Sequence, residues 1–181
     1  MGNTLEDIKN RRSIRSYKQE QIKEEELSAI LEAGTFAPSG MGQQSVVMVV
    51  VQDNETIAKI EQLNAKVLND PAQKPFYGAP TIVNVLVDNS KVTGVENGAL
   101  VIGNLLLAAQ ALGVGSCYIY RAKEVFERTE GKELLKQWGL KGDYVGIGHV
   151  LLGYAEGPAP QPAPRKEGYI VKVQSNSSES E

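Results

Sequence analysis

The chain has 181 residues, the length of one ordinary domain, with 41% apolar residues, 23% charged residues and a formal net charge of −3. That balance carries no electrostatic footprint for nucleic acid and no polybasic segment for an anionic membrane. With one cysteine, Cys117, and one histidine, His149, a disulfide framework, an iron–sulfur cluster and a zinc site built from several Cys and His are excluded, and the lone thiol fits a reducing compartment.

The first residues lack the apolar core of a signal peptide. Glu6 stands where a myristoylation signal carries Ser or Thr, so the cytoplasm is the expected location. Thr4 to Asn10 reads as a short helix with Thr4 as its cap. The loop Arg11–Tyr17 follows and carries Arg11, Arg12 and Arg15. A helix is predicted from Lys23 to Gly34, because Leu27, Ile30, Leu31 and Gly34 recur on one face. Pro38, Gly40 and Gly42 then break the helical pattern and permit close backbone approach. The valine-rich segment Ser45 to Gln52 reads as a strand buried on both faces. An amphipathic helix from Asn54 to Asn69, a loop from Pro71 to Gly78 and a second buried strand from Pro80 to Asp88 come next.

Val95 to Gly113 is helical in length and apolar nearly all round, which suits the core or the face of another subunit. Its most apolar stretch carries Asn104 and Gln110 and is too short and polar to span a membrane. A strand from Val114 to Tyr120, a helix from Ala122 to Trp138 interrupted near Gly131, and a fourth strand from Tyr144 to Tyr154 complete the alternation. Ala155 to Pro164 holds four prolines and reads as an extended arm. Gly168 to Val173 is expected to add one more strand, and Gln174 to Glu181 reads as a disordered tail. The pattern predicts one layered α/β or α+β domain over residues 1–173, with a central sheet and with residues 155–173 as its arm.

Four segments offer chemistry. Arg11-Arg12-Ser13-Ile14-Arg15 suits a phosphate, through paired charge-assisted hydrogen bonds, although a solvated basic loop has the same composition. Ala37-Pro38-Ser39-Gly40-Met41-Gly42-Gln43-Gln44 joins small residues to two amides, as a planar hydrogen-bonding ring needs, or as any helix-to-strand turn allows. Gly113 to Tyr120 is a glycine-marked turn into a strand, in which Cys117 reads as a small core residue rather than a nucleophile. Pro162-Ala163-Pro164-Arg165-Lys166 is a stiff arm that holds a charge pair in place, or a surface tail. There is no P-loop, no dinucleotide fingerprint and no nucleophile elbow. His149 lies in an apolar strand and reads as structural.

In order and spacing, from residue 8 to about residue 173, these four segments together resemble the nitroreductase family of flavin-dependent oxidoreductases. The resemblance implies an α+β homodimer with a central, mostly antiparallel sheet flanked by helices. A long central helix forms the dimer interface, and two flavins are each contacted by both subunits. The interface role suits Val95–Gly113, and the C-terminal arm suits an embrace of the partner. FMN is the implied cofactor and NADH or NADPH the implied reductant.

Residue by residue, Arg11 matches the phosphate-binding arginine, and Arg12 and Ser13 the neighbouring flavin contacts. Arg15 matches the basic residue near the N1–O2 edge of the ring, where positive charge stabilises reduced flavin. Pro38, Ser39, Met41 and Gln44 match the loop that one subunit places against its partner's flavin. Tyr118, Ile119 and Tyr120 match the strand end along the ring. Arg165 matches the C-terminal phosphate arginine, with Lys166 as helper.

Many relatives read Pro-Ser-x-x-Asn-x-Gln-Pro-Trp in the loop; here Gly42, Ser45 and Val46 replace the Asn, Pro and Trp. Ala163 stands at a position often basic. Tyr120 and Arg121 stand where small residues are frequent, which narrows the expected pocket. The chain is short for the family and lacks the insertions that often cover the site. The implied reaction is ping-pong: hydride passes from NAD(P)H to flavin N5, then to a nitroaromatic, quinone or flavin acceptor. The alternatives are a specialised branch, such as reductive dehalogenation or flavin destruction, a flavin-binding sensor or storage protein with slow turnover, and a structural domain without flavin.

Overall fold

The computed structural model describes residues 3–173. The expected disordered tail, Gln174 to Glu181, lies outside them. In chain order the elements are α1 (Thr4–Asn10), α2 (Glu24–Thr35), a 3-10 turn (Gly40–Gly42), β1 (Val46–Val51), α3 (Asn54–Val67), β2 (Thr81–Asp88), α4 (Gly94–Ala111), β3 (Gly115–Ile119), α5 (Ala122–Glu127), α6 (Thr129–Gln137) and β4 (Tyr144–Gly153).

The four strands form one sheet in the order β1-β2-β4-β3, and every pairing is antiparallel. Side chains alternate between the two faces of this sheet. Ile82, Leu86, Cys117 and Leu151 face α3, α5 and α6, packing against Ile60, Leu63, Phe126 and Leu134. Val83, Val85, Val150 and Leu152 face α2 and α4, packing against Leu27, Ile30, Val101, Ile102 and Leu105. The result is three layers, with the sheet in the middle.

The central strands β2 and β4 are buried on both sides, as a continuous apolar run requires. β1 departs from that expectation. Among the described residues it pairs only with β2, and Val46 to Val50 stay half-buried at the sheet edge. α4 lies close on β4 because Gly98 leaves room for Ile147, whose Cγ1 would stand 2.6 Å from a Cβ at that position. Away from that contact, α4 leaves Val95 59% and Leu100 45% exposed.

Three further expectations are corrected. Asn3, not Thr4, caps α1, its Oδ1 accepting from the Leu5 N–H at 3.1 Å. The break after β3 falls at Arg128, not Gly131; Gly131 is helical, in a contact with Val125 and Phe126 that a Cβ would block. Residues Gly168 to Val173 form no strand, because they find no pairing partner within the described residues; Gly168 turns with φ 67° and the apolar side chains that follow are exposed.

Candidate functional site

The two ends of the sequence are stitched side by side. The Ile14 N–H donates to the Ser116 carbonyl at the start of β3, making a parallel bridge between Ser13 and Ser116. A few residues on, Lys18 N–H donates to the Tyr154 carbonyl and Glu156 N–H to the Ser16 carbonyl. Tyr17 anchors this seam. Its ring is 3% exposed, and its hydroxyl donates to the Ile14 carbonyl at 2.9 Å, while burial pushes the phenol pKa well up. The basic loop therefore emerges beside the start of the proline-rich arm.

Where they emerge, Arg11, Arg12, Ser13 and Arg15 line one cavity of about 590 Å³ with Arg165 and the segment Pro160–Ala163. Lys9 adds a fifth cation, and none of the lining residues is a carboxylate. Such a donor set fits a dianionic phosphate, which guanidinium groups bind through charge-assisted bonds. The arginines are not equivalent. Arg12 Nη1 donates to the Lys9 and Arg11 carbonyls at 2.7 Å each, closing the end of α1. Arg11 makes no side-chain hydrogen bond among the described residues. Arg165 Nη2 donates to the Ala163 carbonyl at 2.6 Å, and Lys166 turns elsewhere, its Nζ 5.5 Å from the Tyr169 ring centroid.

Cys117 lies beneath this loop. Burial pushes its thiol up, outweighing the downward pull of Arg15, Ser13 and Arg11, so it stays a protonated core thiol.

Pro38, Ser39 and Gln44 line a second cavity, between the end of α2 and α4. Met41 is 79% exposed at the loop tip. Met41 and Gln44 adopt φ 53° and 46°, a left-handed conformation that costs a non-glycine residue about 1 kcal/mol or more. Ser39 Oγ accepts from the Gln44 N–H at 2.8 Å and closes the loop on itself.

Tyr118 and Tyr120 line a third cavity, of about 460 Å³, with Val95 and Ala99 of α4. Tyr118 donates to the Ile147 carbonyl at 3.1 Å, and Tyr120 is 62% exposed. Ile119 points the other way into the core, 6% exposed, so only its backbone reaches the strand end. The three cavities share no lining residue. Within one chain, then, the basic cluster, the loop and the strand-end tyrosines open onto separate spaces.

Behind the strand end lies a polar group that the sequence did not announce. Arg121 stacks 5.6 Å from the Tyr120 ring centroid, and its Nε donates to Asn64 Oδ1 at 2.8 Å. His149 sits fully buried between the rings of Phe76 and Phe126, with Nδ1 2.7 Å from Asn84 Oδ1. Because Asn84 Nδ2 already donates to the Val49 carbonyl, its Oδ1 is the acceptor and His149 Nδ1 carries the proton. Burial, with a smaller push from the Arg121 charge, lowers the His149 pKa to about 3 and keeps the ring neutral. Asn97 of α4 was missed as well. The signal was available: an amide in a helix that is otherwise apolar on its buried side.

Comparison with known proteins matches the fold. The model of the nitroreductase family matches residues 8–154. The chain is 30% identical over 167 residues, 89% of its length, to a Methanothermobacter thermautotrophicus protein whose name pairs NADH dehydrogenase with NAD(P)H nitroreductase, covering 80% of that relative. It is 28% identical to the NADPH-flavin oxidoreductase of Vibrio harveyi, over 94% of this chain and 73% of that one. A crystal structure of a Bacteroides fragilis nitroreductase with bound FMN superposes with a TM-score of 0.88 at 30% identity, covering 96% of this chain and all of that one.

Proposed function

The chain belongs to the nitroreductase family and is an NAD(P)H-dependent FMN oxidoreductase; from that premise we propose that it works by a ping-pong cycle, as a homodimer, on a nitroaromatic, quinone or flavin acceptor. The observation that carries this reading is the carboxylate-free cavity in which Arg11 and Arg165 are brought together from opposite ends of the chain. Bound there, FMN supplies two-electron acceptance from the nicotinamide and donation to the second substrate.

The chain's own residues do the rest. Arg11 and Arg165 hold the phosphate, with Ser13 as a hydroxyl partner, while Lys166 lies against Tyr169 outside the cavity. Arg12 keeps the end of α1 closed and so fixes the loop that carries Arg11. Arg15, exposed on the same loop, sets positive charge at the ring edge and favours the reduced form electrostatically. The end of β3, from Tyr118 to Tyr120, provides a rigid wall. Pro38, Ser39, Met41 and Gln44 serve the flavin of the other subunit, which suits the opening of Pro38, Ser39 and Gln44 onto a different cavity from the arginines. One domain spans residues 1–173. Among the described residues no helix is long and apolar enough to cross a membrane, and a cytoplasmic location is part of the same proposal.

The test is anaerobic addition of NADH or NADPH to the purified yellow protein, followed by a quinone. Rapid bleaching and then recovery of the flavin absorbance is expected. A protein that stays colourless after incubation with FMN would refute the reading.

A further inference from the structure

Asn97 is 3% exposed on the buried face of α4, an apolar setting in which an amide is costly unless its atoms are bonded. Its oxygen and one of its N–H bonds go to the 39–45 loop, and the remaining contact is to Thr93, one turn back at the start of α4. Its Oδ1 accepts from the Gly40 N–H at 3.0 Å, and its Nδ2 lies 3.3 Å from Ser45 Oγ and 3.2 Å from Thr93 Oγ1. Gly40 approaches Thr93 so closely that a Cβ there would overlap the threonine side chain. One side chain therefore clamps the loop at both ends, Gly40 and Ser45. Between the clamps lie Met41 and Gln44, the two left-handed residues there that are not glycine and whose conformation has to be held.

We propose that Asn97 is a positioning residue of the flavin site, setting through Gly40 and Ser45 the conformation in which Met41 and Gln44 meet the cofactor. The inference rests on the flavin reading above. Ser45 is central to it. The loop motif that this segment resembles has proline there, a residue that fixes its own φ and has no hydroxyl for an amide to reach. In this chain a side-chain hydrogen bond does the fastening instead. Ser45 is itself only 9% exposed, so the bond is shielded from competing water.

The test is FMN titration of the full chain against Asn97→Ala, Ser45→Ala and the double variant, with visible circular dichroism and the midpoint potential of bound flavin measured on the same samples. Asn97→Ala is expected to weaken FMN binding about tenfold and Ser45→Ala about threefold, as loss of buried hydrogen bonds does. The double variant should bind no more weakly than Asn97→Ala, because both act through one bond. The dichroism and the potential should shift with the affinity, which a merely stabilising role would not cause. If Asn97→Ala does not fold, Ser45→Ala decides: weaker binding with a shifted dichroism supports the proposal. Folded variants with wild-type affinity, dichroism and potential would overturn it while leaving the flavin reading intact. A wild-type protein that binds no FMN would overturn both.

Discussion

Arg11 and Arg165 reach one cavity in which no described lining residue is a carboxylate, so each offers its charge to an anion. A hydrogen bond to a charged group contributes about 1.5–3 kcal/mol, so Arg11→Ala or Arg165→Ala alone should weaken FMN binding roughly ten- to a hundredfold. The double variant should lose its flavin on gel filtration; full retention of colour would contradict the shared grip. His149 governs a different property. Its pKa is about 3 in the folded chain against an ordinary 6.5, so the unfolded chain takes up a proton that the folded one refuses. The His149 contribution to stability is therefore fully present above pH 6.5 and is lost as pH falls toward 3, by up to about 1.4 kcal/mol per pH unit. Urea unfolding of the apoprotein should show a loss of about 2 kcal/mol between pH 7 and pH 5, and His149→Gln should flatten that slope. The arginines were legible in the sequence because charge type and spacing carry their chemistry. The pairing of His149 with Asn84 was not, because it depends on the register that sets β4 against β2.

β4 ends at Gly153, where Pro80 and Tyr17 close in. A Cβ there would stand 2.8 Å from Pro80 Cδ and 2.9 Å from Tyr17 Cδ1. Gly153→Ala should cost about 1–3 kcal/mol by overpacking, read as a lower Tm. It should also weaken FMN binding, since Tyr17 fastens the basic loop through Ile14. Unchanged binding in a destabilised variant would uncouple the seam from the site. Most helices and strands were legible from their periodicity. The edge position of β1 was not, because a valine run looks the same whichever strands flank it. The break between α5 and α6 was misplaced because Gly131 looks like a breaker, whereas it is a helical contact point that tolerates no side chain. Tyr169, Ile170 and Val171 have the composition of a strand, but a strand also needs a neighbour.

Taken whole, the chain leaves Phe36, Met41, Val95 and Leu100 exposed around the loop and the outer face of α4. Leu100→Glu places a charge on that face. It should yield a monomer by light scattering and lose FMN although every arginine is intact; a wild-type monomer that binds FMN tightly would refute the shared site. The sequence suggested a subunit face on α4 because the helix is apolar nearly all round, but only the fold shows that the arginines and the loop open onto separate cavities. In the proposed homodimer, that separation has a thermodynamic consequence. A ligand that needs both cavities is held by the assembled pair alone, so ligand and partner strengthen each other's hold by the same factor. Dilution below the dissociation constant of the pair would then release the flavin, and the fraction of protein carrying cofactor would follow the concentration of the protein itself.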